Sequence, residues 1–205
     1  MYRRITLFLA GIYAVSLLQG CASMADSMSQ FAGLGVISQE KSTFDGATII
    51  SMSPTFLYSG QGMSANNVKL GARWNSKVPD QVALIPSYSS SAARGGSAYV
   101  NISGMEVNID GEIKSFRTAG LTQHESSSYN PVSRDVYTKS EGTVVVPWDV
   151  LQKMMAATDC RIRIHTGSDY EDSIFSVERI PGGQSTVKFS LKEFISKVDA
   201  VRVAR

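Results

Sequence analysis

Alternation of apolar and polar residues is the feature that most limits what this chain can fold into. In the stretch CRIRIHTG, Ile162 and Ile164 share one side of an extended chain, whereas Arg161, Arg163 and His165 share the other. Successive side chains of a β-strand point to opposite faces of a sheet, so this pattern predicts a half-buried strand.

Strand signals of this kind recur from Phe44 onward, and turn residues separate them. The dipeptide Asp110-Gly111 joins two short apolar runs and is the strongest hairpin signal in the sequence. About eight strands are predicted. They lie in the stretches FDGATIISMSPTFLY, NNVKLGARWNS, DQVALIPSY, AYVNISGMEVNIDGEIKSF, GTVVVP, CRIRIHTG, DSIFSVERI and STVKFS.

Two helices are predicted in the second half of the chain. The first begins at Pro147, and its apolar residues recur at a spacing of three to four, including Met154 and Met155 as core residues. The second begins with Ser190 and Glu193, which match the capping box S-x-x-E. Behind them an apolar face predicts a helix that closes over one end or face of the strands.

Many strands with two late helices predict a mainly β fold. We expect an antiparallel β-sandwich of immunoglobulin-like shape, formed as a single domain by residues 44–205. The alternative is an α+β fold with the helices on one face of an antiparallel sheet. Strands and helices do not alternate along the chain, so nothing in the sequence indicates a parallel sheet.

The N-terminus has the pattern of a secretory signal. Arg3 and Arg4 precede a nearly continuous apolar run, Ile5 to Leu18. That run is shorter than the ~20 residues that a helix needs to span a bilayer, so a cleaved signal is favoured over a permanent transmembrane anchor.

The end of this run, Leu18-Gln19-Gly20-Cys21, resembles the lipobox of bacterial lipoproteins. Leu18 and the small Gly20 match the pattern, whereas Gln19 stands where a small residue is usual. The resemblance implies that residues 1–20 are removed, that the Cys21 sulfur receives a diacylglycerol, and that the new amine is acylated. The alternative is an ordinary secretory cut, for example after Ala22.

The residues after the cysteine bear on location and spacing. Ala22 and Ser23 follow, not the Asp that often marks retention at the inner membrane, so the resemblance implies a periplasm-facing protein of the outer membrane in a double-membraned bacterium. Residues 21–43 are interpreted as the lipidated cysteine and a tether. The tether is favoured for 22–30, and packing on the domain stays open for 31–42.

The balance of charges and the number of cysteines argue against nucleic-acid binding and against an internal disulfide. The 20 Lys and Arg residues include Arg3 and Arg4, so the remaining 18 balance the 18 Asp and Glu residues. Without a basic cluster the chain lacks the features of a nucleic-acid binder. With Cys21 acylated, Cys160 has no partner for an internal disulfide and is predicted to be a buried small apolar residue.

The sequence contains no catalytic or metal-binding motif. Its two histidines, His124 and His165, lack the spacing of zinc ligands, and no cofactor is expected. A serine hydrolase would require a serine or carboxylate beside one of them, for example from Ser126–Ser128. The acidic residues of SDYEDS would at best form a weak cation site. We therefore expect a non-enzymatic protein.

Three stretches share a vocabulary of Tyr, Ser, Gly and Asn: YSGQGMSANN, YSSSAARGGSAY and HESSSYNPVSRDVY. Rigid tyrosines among small polar residues are typical of adaptable recognition surfaces. The alternative is that long hairpin loops are polar in any case. The candidate binding residues are Tyr58, Tyr88, Arg94, Tyr99, Tyr129, Arg134 and Tyr137.

These features predict a membrane-anchored envelope lipoprotein whose β-domain binds an envelope protein or assists envelope assembly. A module that binds a small molecule, a glycan or a peptidoglycan fragment is the alternative, and a hydrolase is the least favoured.

Overall fold

The computed structural model describes residues 26–60, 65–91, 99–129, 131–132, 134–167, 169–181 and 183–203. Helix α1 covers residues 26–31, α2 covers Trp148–Ala156 and α3 covers Val187–Val203. The strands are β1 Ile37–Lys41, β2 Thr48–Tyr58, β3 Ala65–Asn75, β4 Gln81–Ser91, β5 Ile102–Ile109, β6 Glu112–Arg117, β7 Gln123–Ser126, β8 Tyr137–Glu141, β9 Val144–Pro147, β10 Cys160–Thr166 and β11 Tyr170–Ile174.

All eleven strands belong to one antiparallel sheet in the order β6-β5-β10-β11-β2-β3-β4-β8-β7, with β1 beside β2 and β9 beside β4. The sheet curls until its ends meet, because Thr118, just after β6, bridges to Val144 at the start of β9. The Ala119 N–H also donates to the Thr143 carbonyl at 2.7 Å. The strands β2, β3, β4, β9, β6, β5, β10 and β11 therefore form a closed ring.

The predicted mainly β, antiparallel fold with two helices in its second half is confirmed. Its strands form one continuous curled sheet whose inner faces enclose the core. The Asp110-Gly111 hairpin is also confirmed, since Ile109 pairs with Glu112 and both turn residues have positive φ, 49° and 97°. Gly adopts this conformation without steric cost, which explains its place in the turn.

The helices complete the core that the ring encloses. α2 buries Trp148, Leu151 and Met154, and Met155 packs against the same core, as predicted for these methionines. α3 packs on β2 and β3, where Phe194 is completely buried. The prediction that the last helix covers a face of the strands is thus confirmed.

Two local predictions near α3 are wrong. The stretch STVKFS is not a strand, because α3 begins at Val187. Ser190 and Glu193 form no capping box, since both lie inside that helix, where Glu193 instead pairs with Lys197 at 3.4 Å. The first predicted helix begins at Trp148, one residue after the expected Pro147.

The N-terminal segment contributes to the sheet before the predicted domain boundary at Phe44. β1 pairs with β2 from Ile37 opposite Met52 to Lys41 opposite Thr48. The signal segment 1–20 and Cys21 lie outside the described residues. Within the described part of the chain, no helix is both long and apolar enough to cross a bilayer.

Candidate functional site

The three tyrosine-containing stretches leave the sheet at the same end. Along the neighbouring strands β2, β3, β4, β8 and β7, Tyr58 pairs with Ala65, Tyr88 with Val68, and Ser91 with Tyr137. Because adjacent strands are antiparallel, the β2–β3 connection, the exit of β4 and the β7–β8 connection share this end. We call it the tyrosine end.

The candidate tyrosines at this end differ in the fraction of their surface that is exposed. Tyr99, Tyr129 and Tyr137 are 44%, 61% and 49% exposed. Tyr58 is half-buried, and Tyr88 is half-buried against the core. The accessible part of the candidate surface is therefore the first three. Arg134 is exposed and has a φ of 53°, and Arg94 lies outside the described residues.

A histidine links Tyr99 to the sheet. The ring centroids of Tyr99 and His124 are 5.0 Å apart, and His124 Nδ1 lies 3.2 Å from Ser140 Oγ. The Val100 N–H also donates to that hydroxyl at 3.2 Å. Ser140 is only 1% exposed, so its hydroxyl orients neighbours and is shielded from any substrate. This serine–histidine pair is a structural contact.

Acidic residues of the β10–β11 hairpin approach the same end. Burial raises the pKa of Tyr88, and the negative charges of Glu171 and Asp169 raise it further. Tyr88 therefore stays protonated at neutral pH, and its ring joins the core to the tyrosine end.

A second group of polar residues lies on the outer face of β5, β10 and β11. Arg163 pairs with Asp172 through two hydrogen bonds of 2.7 and 2.9 Å. The Arg163 guanidinium also lies 4.0 Å from the centroid of the Tyr170 ring. His165 Nε2 lies 3.5 Å from Glu106 Oε1. The hydrogen bonds from Arg163 hold the pKa of Asp172 below its ordinary value.

Of these residues, Glu106, Arg163 and Asp172 border a cavity of about 460 Å³, a size typical of small-molecule sites. Ser59 and Gly60 line one side, and the rest of the lining comes from β5, β6, β10 and β11. Its charged residues are of both signs: Glu106, Arg161, Arg163 and Asp172. Such a lining suits a small molecule that carries both hydrogen-bond donors and acceptors.

The sequence pattern identifies only the β10 half of this group of polar residues on the outer face. The alternation of Arg161, Arg163 and His165 places them on one face, but their partners come from other strands. The sequence favours Asp172 at best as a weak cation ligand, whereas in the fold it pairs with Arg163. Within the described residues, no group of three or more His, Cys, Asp and Glu side chains is arranged to hold a metal ion.

Comparison with protein-family models, with curated protein sequences and with solved structures finds no match to this chain.

Proposed function

We propose that this chain is a non-enzymatic envelope lipoprotein, anchored through Cys21, whose tyrosine end binds an envelope protein. The observation that carries the proposal is the exit of three tyrosine-containing stretches at one end of the sheet, with Tyr99, Tyr129 and Tyr137 exposed. Exposed tyrosines supply large contact area and lose little conformational entropy on binding. The lipobox-like sequence supports a periplasm-facing location at the outer membrane.

Crosslinking in living cells with a C-terminally tagged protein, followed by mass spectrometry, tests this proposal. We expect one abundant envelope protein, and we expect the triple substitution of Tyr99, Tyr129 and Tyr137 by Ala to reduce its yield at least tenfold. The matched control is Phe44→Ala, which removes a fully exposed aromatic ring from the β1–β2 turn at the opposite end of β2. An equal loss with both variants, or none with either, would contradict the assignment of this surface.

A second candidate function rests on the outer-face cavity. Its volume and mixed charges favour a small polar molecule, such as a glycan or peptidoglycan fragment. Arg161→Ala should then weaken binding of such fragments, measured by calorimetry. Arg73→Ala on β3 is the control, because it also removes an exposed, ion-paired arginine.

A further inference from the structure

Asp26, the first residue that the structure describes, is held by an arginine of the domain. Two hydrogen bonds, of 2.6 and 3.2 Å, join the Arg179 guanidinium to the Asp26 carboxylate, and Ser185 Oγ donates to the same group. Arg179 also donates to the Gly183 carbonyl at 2.8 Å and lies 4.7 Å from the Phe189 ring centroid. The Asp26 side chain is 19% exposed, so this pair is largely enclosed.

A second attachment follows a few residues later. Ser53 Oγ donates to the Gly33 carbonyl at 2.6 Å, and the Val36 N–H donates to the same hydroxyl at 2.9 Å. The Ser53 N–H donates back to the Val36 carbonyl at 2.9 Å. From Asp26 onward the segment is therefore bound to the domain, and the chain between Cys21 and Asp26 is all that separates the domain from an acylated cysteine.

Covalent geometry limits that separation. Five residues of fully extended chain span at most about 17 Å, which is shorter than the ~30 Å hydrocarbon core of a bilayer. Acylation at Cys21 would hold Asp26 at the membrane surface, and helix α1 with it.

Helix α1 presents different chemistry on its two sides. Asp26 contacts the domain, as does Ser29, which accepts a hydrogen bond from Gln184 at 3.5 Å. Met28 and Phe31, three residues apart and hence neighbours on the helix surface, are 68% and 96% exposed. Residues 27–39 carry no charged side chain, so nothing there is repelled by lipid headgroups of either sign.

We propose that Met28 and Phe31 enter the lipid interface and fix how the domain is oriented on the membrane, with α1 against the bilayer. This inference rests on the proposed anchoring at Cys21. Lipid is the occupant because the acyl chains lie within about 17 Å of the docked Asp26, and because an exposed apolar pair on a short helix is the chemistry of interfacial segments. The tyrosine end then keeps the separate, protein-binding role proposed above.

The test measures the depth of position 31 in a membrane. Full-length Phe31→Cys protein, produced in a bacterium able to acylate a lipobox cysteine, is labelled with an environment-sensitive, thiol-reactive fluorophore. It is then reconstituted into phosphatidylethanolamine–phosphatidylglycerol vesicles that contain nitroxide-labelled lipid. Cys160 is completely buried and its pKa is raised to about 12, so the introduced thiol is the reactive one. We expect a blue-shifted emission and at least twofold quenching. Met28→Cys should behave alike.

The control is Ile113→Cys. Ile113 is 65% exposed on β6, which lies four strands from β2 in either direction around the closed ring, whereas the α1 segment attaches to β2. We expect no quenching there. Vesicle flotation separates the two proposals: protein that floats with the vesicles but is unquenched at position 31 overturns the lipid contact alone, and protein that fails to float overturns the anchoring. Equal quenching at positions 31 and 113 also overturns the proposed orientation.

Discussion

At the scale of single residues, burial sets the reactivity of the Cys160 thiol. Cys160 begins β10 with no exposed surface, as the sequence predicts for a small apolar residue. Desolvation raises the pKa of its thiol, and the positive charge of Lys188 only partly opposes this. Cys160 is therefore expected to be chemically inert in the folded protein.

This inertness is measurable on a Cys21→Ser variant. Because the pKa rises from 9.0 to about 12, the thiolate fraction of Cys160 at pH 8 falls on the order of a thousandfold. We expect labelling by a maleimide to be slower than in denaturant by at least that factor, since burial also blocks access. Labelling of the native protein at the rate of a free thiol would contradict the buried position.

At the scale of elements, some strands were predictable and others were not, for physical reasons. β10 shows clear alternation because its inner residues are aliphatic. β8 instead buries Thr138 and Ser140, so its alternation has no apolar signal. β7 is exposed at every position, and β1 is nearly so, as expected of strands outside the ring. Such strands form because they pair with neighbouring strands, and their own sequences carry little signal.

The local sequence also does not predict how α3 and the candidate site are formed. The β-branched and aromatic residues of STVKFS favour a strand locally. Val187, however, begins a buried series that continues at a spacing of three to four through Leu191, Phe194 and Val198, and burial of this whole face favours a helix. The tyrosine-rich composition was visible in the sequence, whereas its placement at one end depends on strand order. The half-burial of Tyr88 depends on the curl of the sheet.

Helix α3 offers a matched pair of phenylalanines for testing its packing. Phe194 is completely buried, and Phe189 is 40% exposed on the same helix. Phe194→Ala should lower the free energy of unfolding by about 3–5 kcal/mol, because it leaves a cavity in the core. Phe189→Ala should cost about 1 kcal/mol or less. Urea denaturation measures both, and equal losses would show that α3 does not pack as described.

At the scale of the whole molecule, the N-terminal segment is joined to the rest of the domain by the pairing of β1 with β2 and by the polar contacts of Asp26, Ser29 and Ser53. The predicted tether, residues 21–43, includes α1 and β1, both of which lie on the domain. The Asp26–Arg179 pair makes this attachment dependent on charge. If Cys21 is acylated as proposed, loss of this pair would release α1 and lengthen the free chain between Cys21 and the sheet. The pair would then set how far the domain can move from a membrane.

The pH dependence of this attachment can be predicted in sign. Burial opposes ionisation of Asp26, but the hydrogen bonds from Arg179 and Ser185, together with the charge of Arg179, outweigh it and lower its pKa below 3.8. A group whose pKa is lowered on folding stabilises the docked state fully above its unfolded pKa, and this stabilisation is lost as pH falls through the lowered value. Above pH 5 the docking should therefore not vary with pH.

Asp26→Asn should remove the charged pair and undock the segment while the sheet remains folded. Loss of hydrogen bonds to a charged group costs about 1.5–3 kcal/mol, so amide exchange in residues 27–36 should accelerate about tenfold or more at pH 7. Amide exchange in β3 and β10 should stay unchanged, because the hydrogen bonds of Asp26 go to Arg179 and Ser185, which lie outside both strands. Lys192→Ala, which breaks the exposed pair with Glu178, is the control and should leave 27–36 protected. If Asp26→Asn accelerates exchange throughout the sheet, the segment and the ring unfold together and Asp26 does not set the distance between domain and membrane.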